Sequence, residues 1–299
     1  MPLTRSARAW LADVLYAEPD EIHLAPMAGA TSSSVYRVSA GHDRDNAVLR
    51  VFDNAQWNDD EPDLVAHEAA ALGEAARAGC PAPRLIAWSA QDIGFGAPAL
   101  LMTRVRGVVA LAPGDRDAWI ERLALALAAI HRHPATGLAW TYFPWFEPAT
   151  AVVPAWATDT AAWQRAIEIA RGPAPDSPTV FIHRDFHPVN VLWQDGAISG
   201  IVDWVNACRG PAPVDVAHCR SNLAFMYGTP VADAFLAAYV RATPGFRQDP
   251  YWDLVSLLDW SLPRPTPYRP WAEFGLSGIT GAQMEARAEA RLADLLRHV

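Results

Sequence analysis

The sequence contains no lysine, and all 24 of its basic side chains are arginines. A role that proteins usually give to a lysine ammonium must therefore be filled by a planar guanidinium or left empty. Cysteine is also scarce, with Cys80, Cys208 and Cys219 far apart and no CxxC pair. This spacing indicates neither a disulfide framework nor a thiolate metal site, so we expect reduced thiols in a cytosolic protein.

Long apolar runs are missing as well. No stretch approaches the ~20 apolar residues that cross a bilayer, and the first residues, MPLTR, lack the apolar core of a secretory signal. The formal net charge of -9 argues against a nucleic-acid partner, although it would suit a cationic small substrate. We therefore expect a cytoplasmic protein that binds neither membrane nor nucleic acid, and nothing in the sequence points to a protein partner.

The chain of 299 residues is long enough for two lobes with a sizeable core. In the first third, four short apolar segments predict strands, at 34–38, 47–52, 84–88 and 99–104. One longer segment, 63–78, predicts a helix. After Gly107 helical patterns prevail, at about 115–133, 163–171, 213–226, 230–242, 250–260 and 281–298. The sequence predicts an α+β protein with a small antiparallel β-sheet lobe over 1–105 and a larger, mainly helical lobe over 106–299.

The most informative motif is HRDFHPVN at 183–190, followed by Asp203 in the segment IVDW at 201–204. An apolar strand-like run precedes the motif and a predicted hairpin follows it. Phosphoryl transfer from ATP to an alcohol needs a carboxylate to take the hydroxyl proton, here Asp185, and oxygen ligands for Mg²⁺, here Asn190 and Asp203. The weaker interpretation is a loop held by capping Asp and Asn side chains.

Three segments resemble the aminoglycoside phosphotransferase family, which has the protein-kinase-like fold: Phe181–Asn190, Gly200–Trp204 and Gly210–Ala217. Weaker matches in the first third extend the resemblance over most of the chain. The resemblance implies a bilobal enzyme that uses ATP or GTP together with Mg²⁺.

In that family the first aspartate of the motif is the base, and the asparagine and the following aspartate bind Mg²⁺. Those roles correspond to Asp185, Asn190 and Asp203. Asp215 matches a family aspartate that braces the catalytic loop, and as a carboxylate near a helix N-terminus it also makes local sense. For His183 we favour a structural hydrogen bond to backbone over a role as ligand or base. His187 could brace the loop or approach phosphate.

The cation that grips the nucleotide phosphates is expected on the second predicted strand. Arg50 stands where the resemblance implies a lysine, and Glu68, eighteen residues later, would pair with it from the helix. The carboxylate would keep the guanidinium aimed at the α- and β-phosphates. The alternative is a strand arginine facing water beside an unrelated glutamate.

The segment MAGATSSS at 27–34 precedes a predicted strand, where it would fold over the phosphates. Backbone N–H groups and hydroxyls of four residues could contact phosphate oxygens: Gly29, Ser32, Ser33 and Ser34. Ser-rich turns are common, so the position of the segment before Arg50 matters more than its composition. The segment LLMTRV at 100–105 resembles the family's interlobe hinge, which implies that adenine takes backbone hydrogen bonds at Thr103 and Val105.

The acceptor is less well defined. The aromatic segments 140–146 and 260–271 could line its pocket, but we favour core or interlobe packing for them. Asp253, Asp259 and Glu273 could grip a cationic acceptor, and an ordinary solvated surface explains them equally well.

These features predict an O-phosphotransferase that moves the γ-phosphoryl group to a small-molecule hydroxyl. The acceptor could be an aminoglycoside or other antibiotic, or a metabolite such as choline, homoserine or a sugar. A protein kinase is excluded, because only eleven residues separate Asp203 from Asp215, which leaves no room for an activation loop, and neither DFG nor APE occurs. A nucleotide-binding pseudoenzyme that acts as a sensor or scaffold remains the alternative.

Overall fold

The computed structural model describes residues 3–27, 33–41 and 47–299. The first part of the chain forms three helices and five strands: α1 (Arg5–Leu15), β1 (Ile22–Pro26), β2 (Ser34–Ala40), β3 (Ala47–Val51), α2 (Ala55–Asp60), α3 (Leu64–Arg77), β4 (Leu85–Ser89) and β5 (Ala99–Thr103). The strands form one antiparallel sheet in the order β1-β2-β3-β5-β4. Most of the connection between β2 and β3, residues 42–46, lies outside the described residues.

Strand β3 occupies the centre of this sheet and is buried along its whole length. Arg50 is the one charged residue of β3, with Val35 opposite on β2 and Leu100 opposite on β5. Strand β1 was not predicted. Its sequence, IHLAP, ends in Pro26, and a proline is tolerated because β1 is an edge strand that pairs with β2 alone.

The rest of the chain forms seven helices and five strands among the described residues. They are β6 (Val108–Val109), α4 (Arg116–His131), α5 (Thr160–Ala170), β7 (Thr179–Ile182), β8 (Val191–Gln194), β9 (Ala197–Ile201), β10 (Cys208–Pro211), α6 (Ala212–Tyr227), α7 (Thr229–Ala242), α8 (Pro250–Ser261), α9 (Arg269–Glu273) and α10 (Gly281–Leu295). The predicted α+β class, with a sheet lobe followed by a helical lobe, is confirmed.

Helix α6 is the centre of the helical lobe. It packs against α7 and α8, and most of its residues are buried, so it has no single apolar face of the kind that marks a surface helix. Two small sheets, β10-β7 and β6-β8-β9, lie at the side of this lobe that meets the five-stranded sheet. The β7–β8 connection carries the 183–190 motif, and the chain reaches Asp203 directly after β9.

The two lobes meet closely around β9. The Ile201 N–H donates a 2.7 Å hydrogen bond to the carbonyl of Pro81, which follows α3. A Cβ atom at Gly200 would overlap the Val105 side chain, so the segment that leaves β5 can approach β9 only because residue 200 is a glycine. This contact fixes where Asp203 emerges relative to the sheet lobe.

Within the described part of the chain, no helix is both long enough and apolar enough to cross a membrane.

Candidate active site

The 183–190 loop brings the carboxylate of Asp185 to the surface of the helical lobe, where its side chain is 26% exposed. The Asn190 side-chain amide donates to Asp185 Oδ2 at 2.9 Å and to the Asp185 carbonyl at 2.9 Å. On the other side of the carboxylate, Oδ1 lies 3.4 Å from His187 Nε2 and 3.2 Å from His218 Nε2. Three side chains therefore fix the orientation of this carboxylate.

These contacts set the charge of Asp185. Burial is the largest influence and would raise the pKa of the carboxyl, but His187 and then His218 outweigh it and hold the pKa of Asp185 well below its usual range. The same attraction acts on His218. Burial lowers its pKa, but the Asp185 carboxylate outweighs burial, and the pKa of His218 is raised. Asp185 is thus an ionised carboxylate near neutral pH.

Asp215, near the start of α6, holds the beginning of the loop. Its two carboxylate oxygens accept hydrogen bonds from the backbone N–H groups of His183 and Arg184, both at 2.7 Å. His131 Nε2 lies 3.1 Å from the same carboxylate, and Tyr239 is hydrogen-bonded to the other ring nitrogen at 2.6 Å. Arg184 has a positive φ of 68°, so this brace stabilises a strained backbone turn. These two hydrogen bonds are of the kind expected for the loop-bracing role that the resemblance implied for Asp215.

His183 is buried between the loop and β9. Its Nε2 is 3.1 Å from the Val202 carbonyl, and its ring packs against Trp204 with centroids 4.5 Å apart. Burial lowers the pKa of His183, so the ring is neutral. These contacts fit the structural hydrogen bond that we favoured for His183.

Across the interlobe junction, Arg50 contacts two carboxylates. Its Nη1 lies 3.1 Å from Glu68 Oε1 and 2.7 Å from Asp203 Oδ1. Burial lowers the pKa of Arg50, but Glu68 and Asp203 outweigh it, and the pKa is raised. The predicted Arg50–Glu68 pair is therefore formed. Asp203 adopts the left-handed backbone conformation, with φ 70°, which turns its side chain toward Arg50 and away from the path of β9.

The predicted phosphate loop is only partly described, because Gly29 and Ser32 lie outside the described residues. Ser33 Oγ accepts a 2.8 Å hydrogen bond from Arg50 Nε, which places this hydroxyl next to the expected phosphate site. The N–H and hydroxyl of Ser34 both donate to Asp53, at 3.0 and 2.5 Å. Ser34 would have to leave Asp53 to contact a phosphate through its hydroxyl.

At the predicted hinge, the Thr103 N–H donates to the Arg84 carbonyl at 2.8 Å. A nucleotide base could therefore use the Thr103 carbonyl but not its N–H. The Val105 side chain packs against Gly200, so the second hinge position is anchored on the β-strand that leads to Asp203.

Next to Asp185 lies a narrow cleft of about 50 Å³ that we call the aromatic cleft. Its walls include residues of the loop after α4 and of α8, chiefly Tyr142, Trp145, Arg184, His218, Trp252 and Asp259. A second cavity of about 470 Å³ shares His218 and Asp259 and extends toward the segment before α9. Because His218 contacts Asp185, both cavities open beside the predicted base.

The favoured interpretation of the aromatic segment 140–146 as packing holds for Trp140, which stacks on His67 of the sheet lobe with centroids 4.6 Å apart. Tyr142 and Trp145 line the aromatic cleft, and the Trp145 side chain remains 46% exposed. Packing does hold for Trp271, which is buried and stacks on Trp260 with centroids 5.8 Å apart. Aromatic content alone did not separate the two cases, since both environments favour large rings.

The three acidic candidates for acceptor binding have different surroundings. Asp253 is buried and forms salt bridges with Arg220 and Arg291, at 2.6 and 3.1 Å, so it is part of the helical core. Glu273 pairs with Arg269 on the surface of α9 at 3.0 Å. Asp259 lines the aromatic cleft, and burial there raises the pKa of its carboxyl.

Two residues of the site were not predicted. His218 follows Asp215 by three positions on α6, the spacing that places both side chains on one helix face, and this spacing could have revealed it. Arg184 carries no sequence signal, because its place between Tyr142, Trp145 and the cleft depends on a loop 40 residues away in sequence.

The chain belongs to the APH family, described as the phosphotransferase enzyme family, whose model matches residues 23–248. A homoserine kinase of Methylorubrum populi is 30% identical over 232 residues, which cover 71% of this chain and 68% of that protein. An N-acetylmuramate/N-acetylglucosamine kinase of Pseudomonas aeruginosa is 27% identical over 180 residues, covering 56% of this chain and 52% of that protein. The chain spans about half the length of several other curated relatives, among them the homoserine kinase of Methylobacterium nodulans, with 56%.

Solved structures agree on the fold. A Ralstonia eutropha JMP134 protein classed as an aminoglycoside phosphotransferase superposes with a TM-score of 0.67 over 98% of both chains, at 12% identity. The aminoglycoside phosphotransferase APH(4)-Ia, in a ternary complex with AMP-PNP and hygromycin B, gives a TM-score of 0.61 over 98% of both chains, at 17% identity. The protein-kinase-like fold that the resemblance implied is confirmed.

Proposed function

We propose that this protein transfers the γ-phosphoryl group of ATP or GTP to a hydroxyl group of a small molecule. One observation carries the proposal: an ionised carboxylate, Asp185, is fixed by three side chains at the edge of an open cleft. Membership of the phosphotransferase family supports it. A kinase needs its acceptor hydroxyl positioned in this way, because positioning and electrostatic stabilisation provide most of the catalysis in phosphoryl transfer.

In this proposal Asp185 orients the acceptor hydroxyl and receives its proton. A carboxylate with a lowered pKa is a weak base, which suits a loose transition state in which little proton transfer precedes departure of the phosphoryl group. His218 and His187 hold the carboxylate so that an oxygen faces the cleft. Asp215 and His183 keep the loop in the geometry that this requires.

The residues present fit a magnesium ion, and we propose that Asn190 and Asp203 hold it. The Asn190 amide nitrogen points at Asp185, which leaves the amide oxygen directed elsewhere as a ligand. The Asp203 carboxylate already contacts a cationic group, Arg50, at 2.7 Å. Amide and carboxylate oxygens are the ligands that Mg²⁺ prefers, and when bound the ion would neutralise charge on the β- and γ-phosphates.

We assign the nucleotide to the junction between the lobes. Arg50, oriented by Glu68, would contact the α- and β-phosphates, with Ser33 beside it and Gly29, Ser32 and Ser34 as further expected contacts. Adenine or guanine would lie at the Thr103 carbonyl and at Val105. The proposed lobes, 1–105 and 106–299, divide at this segment, since β5 belongs to the large sheet and β6 pairs with β8. Supply of ATP or GTP is consistent with the expected cytoplasmic location.

For the acceptor we propose a small polar alcohol. Relatives are named as kinases of homoserine, N-acetylmuramate and N-acetylglucosamine, and a structural neighbour binds hygromycin B. The aromatic cleft supplies aromatic walls and both charge signs, and the adjoining cavity of about 470 Å³ has the size of a small-molecule site. An acceptor of this kind, or an antibiotic, would extend from the aromatic cleft into that cavity.

The proposal is tested by measuring ADP release with Mg-ATP and a panel of amino acids, sugars and aminoglycosides that carry hydroxyl groups. We expect acceptor-dependent turnover that falls by about 100-fold or more in Asp185→Asn, while nucleotide affinity is retained. Asp195→Asn is the matched control, because Asp195 lies in an exposed turn of the β8–β9 hairpin. Tight Mg-ATP binding without turnover on any acceptor would instead favour a pseudoenzyme.

The metal assignment is tested separately from turnover. We expect Asp203→Asn to weaken ATP binding in the presence of Mg²⁺ by about tenfold or more while leaving Mg²⁺-free binding unchanged or slightly stronger, since Arg50 would lose a competing partner. Asparagine tolerates the left-handed backbone at this position, so the fold should be preserved. Equal loss with and without Mg²⁺ would contradict the ligand assignment.

A further inference from the structure

Arg184 is a buried cation that forms no salt bridge with any carboxylate in the described part of the chain. The whole residue is only 4% exposed, and Arg184 lines the aromatic cleft next to His218 and Asp259. Its Nη2 donates a 2.7 Å hydrogen bond to the Phe143 carbonyl, whereas its Nε is buried without a hydrogen-bond partner. Among the described residues, no carboxylate oxygen lies within the 4.0 Å of a salt bridge to this guanidinium.

Aromatic rings cover Arg184 but do not satisfy its donors. The guanidinium carbon lies 3.9 Å from the centroid of the Trp145 ring, 4.7 Å from that of Phe143 and 5.1 Å from that of Tyr142. Such contacts use the π-faces of the rings, and they fix the orientation of the guanidinium plane. The five N–H donors of arginine lie in that plane; the Phe143 carbonyl satisfies one of them, whereas the Nε–H still requires an acceptor.

The charge of Arg184 cannot be avoided by loss of a proton. Burial lowers the pKa of its guanidinium, but an arginine stays protonated in proteins. A buried cation is normally paired with an anion, because desolvation without a partner is unfavourable. The other buried arginines of the helical lobe follow this rule: Arg220 and Arg291 both pair with Asp253.

We propose that Arg184 binds a carboxylate of the acceptor, so that the acceptor is a hydroxy acid whose hydroxyl faces Asp185. The inference rests on the proposed function and names the substrate class of the same site. Arg184 and Asp185 are consecutive residues, and His218 connects the cleft to the Asp185 carboxylate at 3.2 Å. A planar guanidinium can bind a carboxylate through two parallel hydrogen bonds, which would also orient the rest of the molecule.

The possibility of a cationic acceptor rested on three acidic residues. Asp253 and Glu273 are paired within the protein, so of the three acidic candidates Asp259 is the one that remains in the cleft. The cleft then presents the guanidinium of Arg184 and the carboxyl group of Asp259. A carboxylate compound that also carries an amino group would match both, with its carboxylate on Arg184 and its ammonium near Asp259.

The test uses the full chain labelled with [15N]arginine and matched pairs of compounds that differ in one carboxylate. The pairs are L-homoserine and L-homoserinamide, 4-hydroxybutyrate and 4-hydroxybutyramide, and N-acetylmuramate and its carboxamide. The Nε–Hε resonance of Arg184 is identified by its absence in Arg184→Lys. We expect the chemical shift of this resonance to change when a carboxylate compound is added and to stay the same when its neutral mate is added.

In parallel, ADP release with Mg-ATP is measured for each pair. We expect Arg184→Lys to weaken binding of the carboxylate compound about tenfold or more relative to its neutral mate, as charge-assisted hydrogen bonds predict. Arg209→Lys is the control, since Arg209 also has a buried Nε without a partner but does not line the cleft. If the lysine variant is unstable, the resonance is identified by its absence in Arg184→Gln, and the wild-type resonance still serves as the readout.

The outcomes separate the two proposals. If no carboxylate compound changes the chemical shift of the Arg184 resonance, or if both members of every pair change it equally, the proposed carboxylate subsite is wrong. If only neutral acceptors were turned over, the proposed phosphotransferase function would stand, and the carboxylate-binding role of Arg184 would be rejected. Carboxylate binding at Arg184 with no ADP release from any compound would keep the subsite and contradict the proposed function.

Discussion

Arg50 Nη1 and Asp203 Oδ1 lie 2.7 Å apart, although the two residues are 153 positions apart in the sequence. The contact joins the central strand of the sheet lobe to the residue that follows β9 in the helical lobe. The side chain of Arg50 is 6% exposed and that of Asp203 is 35% exposed, so solvent and ligands reach the pair from the Asp203 side. A nucleotide that binds at the junction must share or replace this contact.

Substitution of Arg50 by lysine tests how much the planar group matters. A lysine can keep a single contact with Glu68, but its compact ammonium cannot also reproduce the 2.8 Å bond to Ser33 and the contact with Asp203. We expect Mg-ATP affinity to fall by about 3- to 30-fold, equivalent to about 0.7–2 kcal/mol. Isothermal titration calorimetry measures this change in Mg-ATP affinity. Arg37→Lys on the exposed face of β2 is the control, and unchanged affinity in Arg50→Lys would show that a point charge suffices.

Asp215→Asn should destabilise the protein strongly. Both carboxylate oxygens accept backbone hydrogen bonds at 2.7 Å, and an asparagine can replace only one acceptor while its amide group opposes the other N–H. We expect a loss of about 2–4 kcal/mol in the free energy of unfolding, because a buried donor is left unsatisfied. Urea denaturation gives the value. Asp195→Asn should change it by less than about 0.5 kcal/mol, as for other exposed positions. A loss of similar size in both variants would argue against the brace.

The pH dependence of stability should have contributions of opposite sign from two histidines. Burial holds the pKa of His183 below its ordinary value, so the unfolded chain binds a proton first as pH falls, and stability decreases toward acid. The pKa of His218 is raised, because Asp185 outweighs burial. Its contribution is present below the pKa of the unfolded chain and is lost as pH rises through the higher pKa of the folded state.

The measurement is urea denaturation at several values between about pH 5 and pH 8, the range in which histidines titrate. We expect His183→Asn to reduce the fall of stability toward acid. We expect His218→Asn to make the same fall steeper, because the opposing contribution is removed. Identical slopes in wild type and both variants would show that neither histidine changes protonation on unfolding.

Gly200→Ala should disturb the junction between hinge and β9. The added Cβ overlaps the Val105 side chain, and overpacking of this kind costs about 1–3 kcal/mol. Val105→Ala should recover part of the loss in the double variant, which a double-mutant cycle detects. Gly114→Ala is the control, since nothing lies within 4 Å of its Cβ position. Strict additivity would mean that Val105 is not the residue that requires the glycine.

Sequence reasoning succeeded where the relevant residues are close along the chain or occupy a regular element. The spacing from Asp185 to Asn190 and the place of Arg50 on a predicted strand, eighteen residues before Glu68, were visible in the sequence, and the structure forms the Arg50–Glu68 pair. Contacts set by the orientation of whole helices were not visible. His218 reaches Asp185 only because α6 packs behind the 183–190 loop.

Other features depend on what surrounds a residue more than on its type. Asp253, Asp259 and Glu273 looked alike in the sequence, yet one is a buried partner of two arginines, one lines a cleft and one is paired on the surface. Burial of each carboxylate is decided by tertiary packing, which no local pattern encodes. For the same reason, the sequence did not separate Trp140, which stacks on His67, from Tyr142 and Trp145, which line the aromatic cleft.

The guanidinium on β3 also has a practical consequence for covalent labelling. Nucleotide analogues that acylate an amine beside the phosphates mark many kinases, but this chain offers them no ε-amine at any position. Dicarbonyl reagents that modify guanidinium groups would meet Arg50 buried between two carboxylates. A survey of nucleotide-binding proteins that relies on amine chemistry would therefore pass over this protein even if its site were fully occupied.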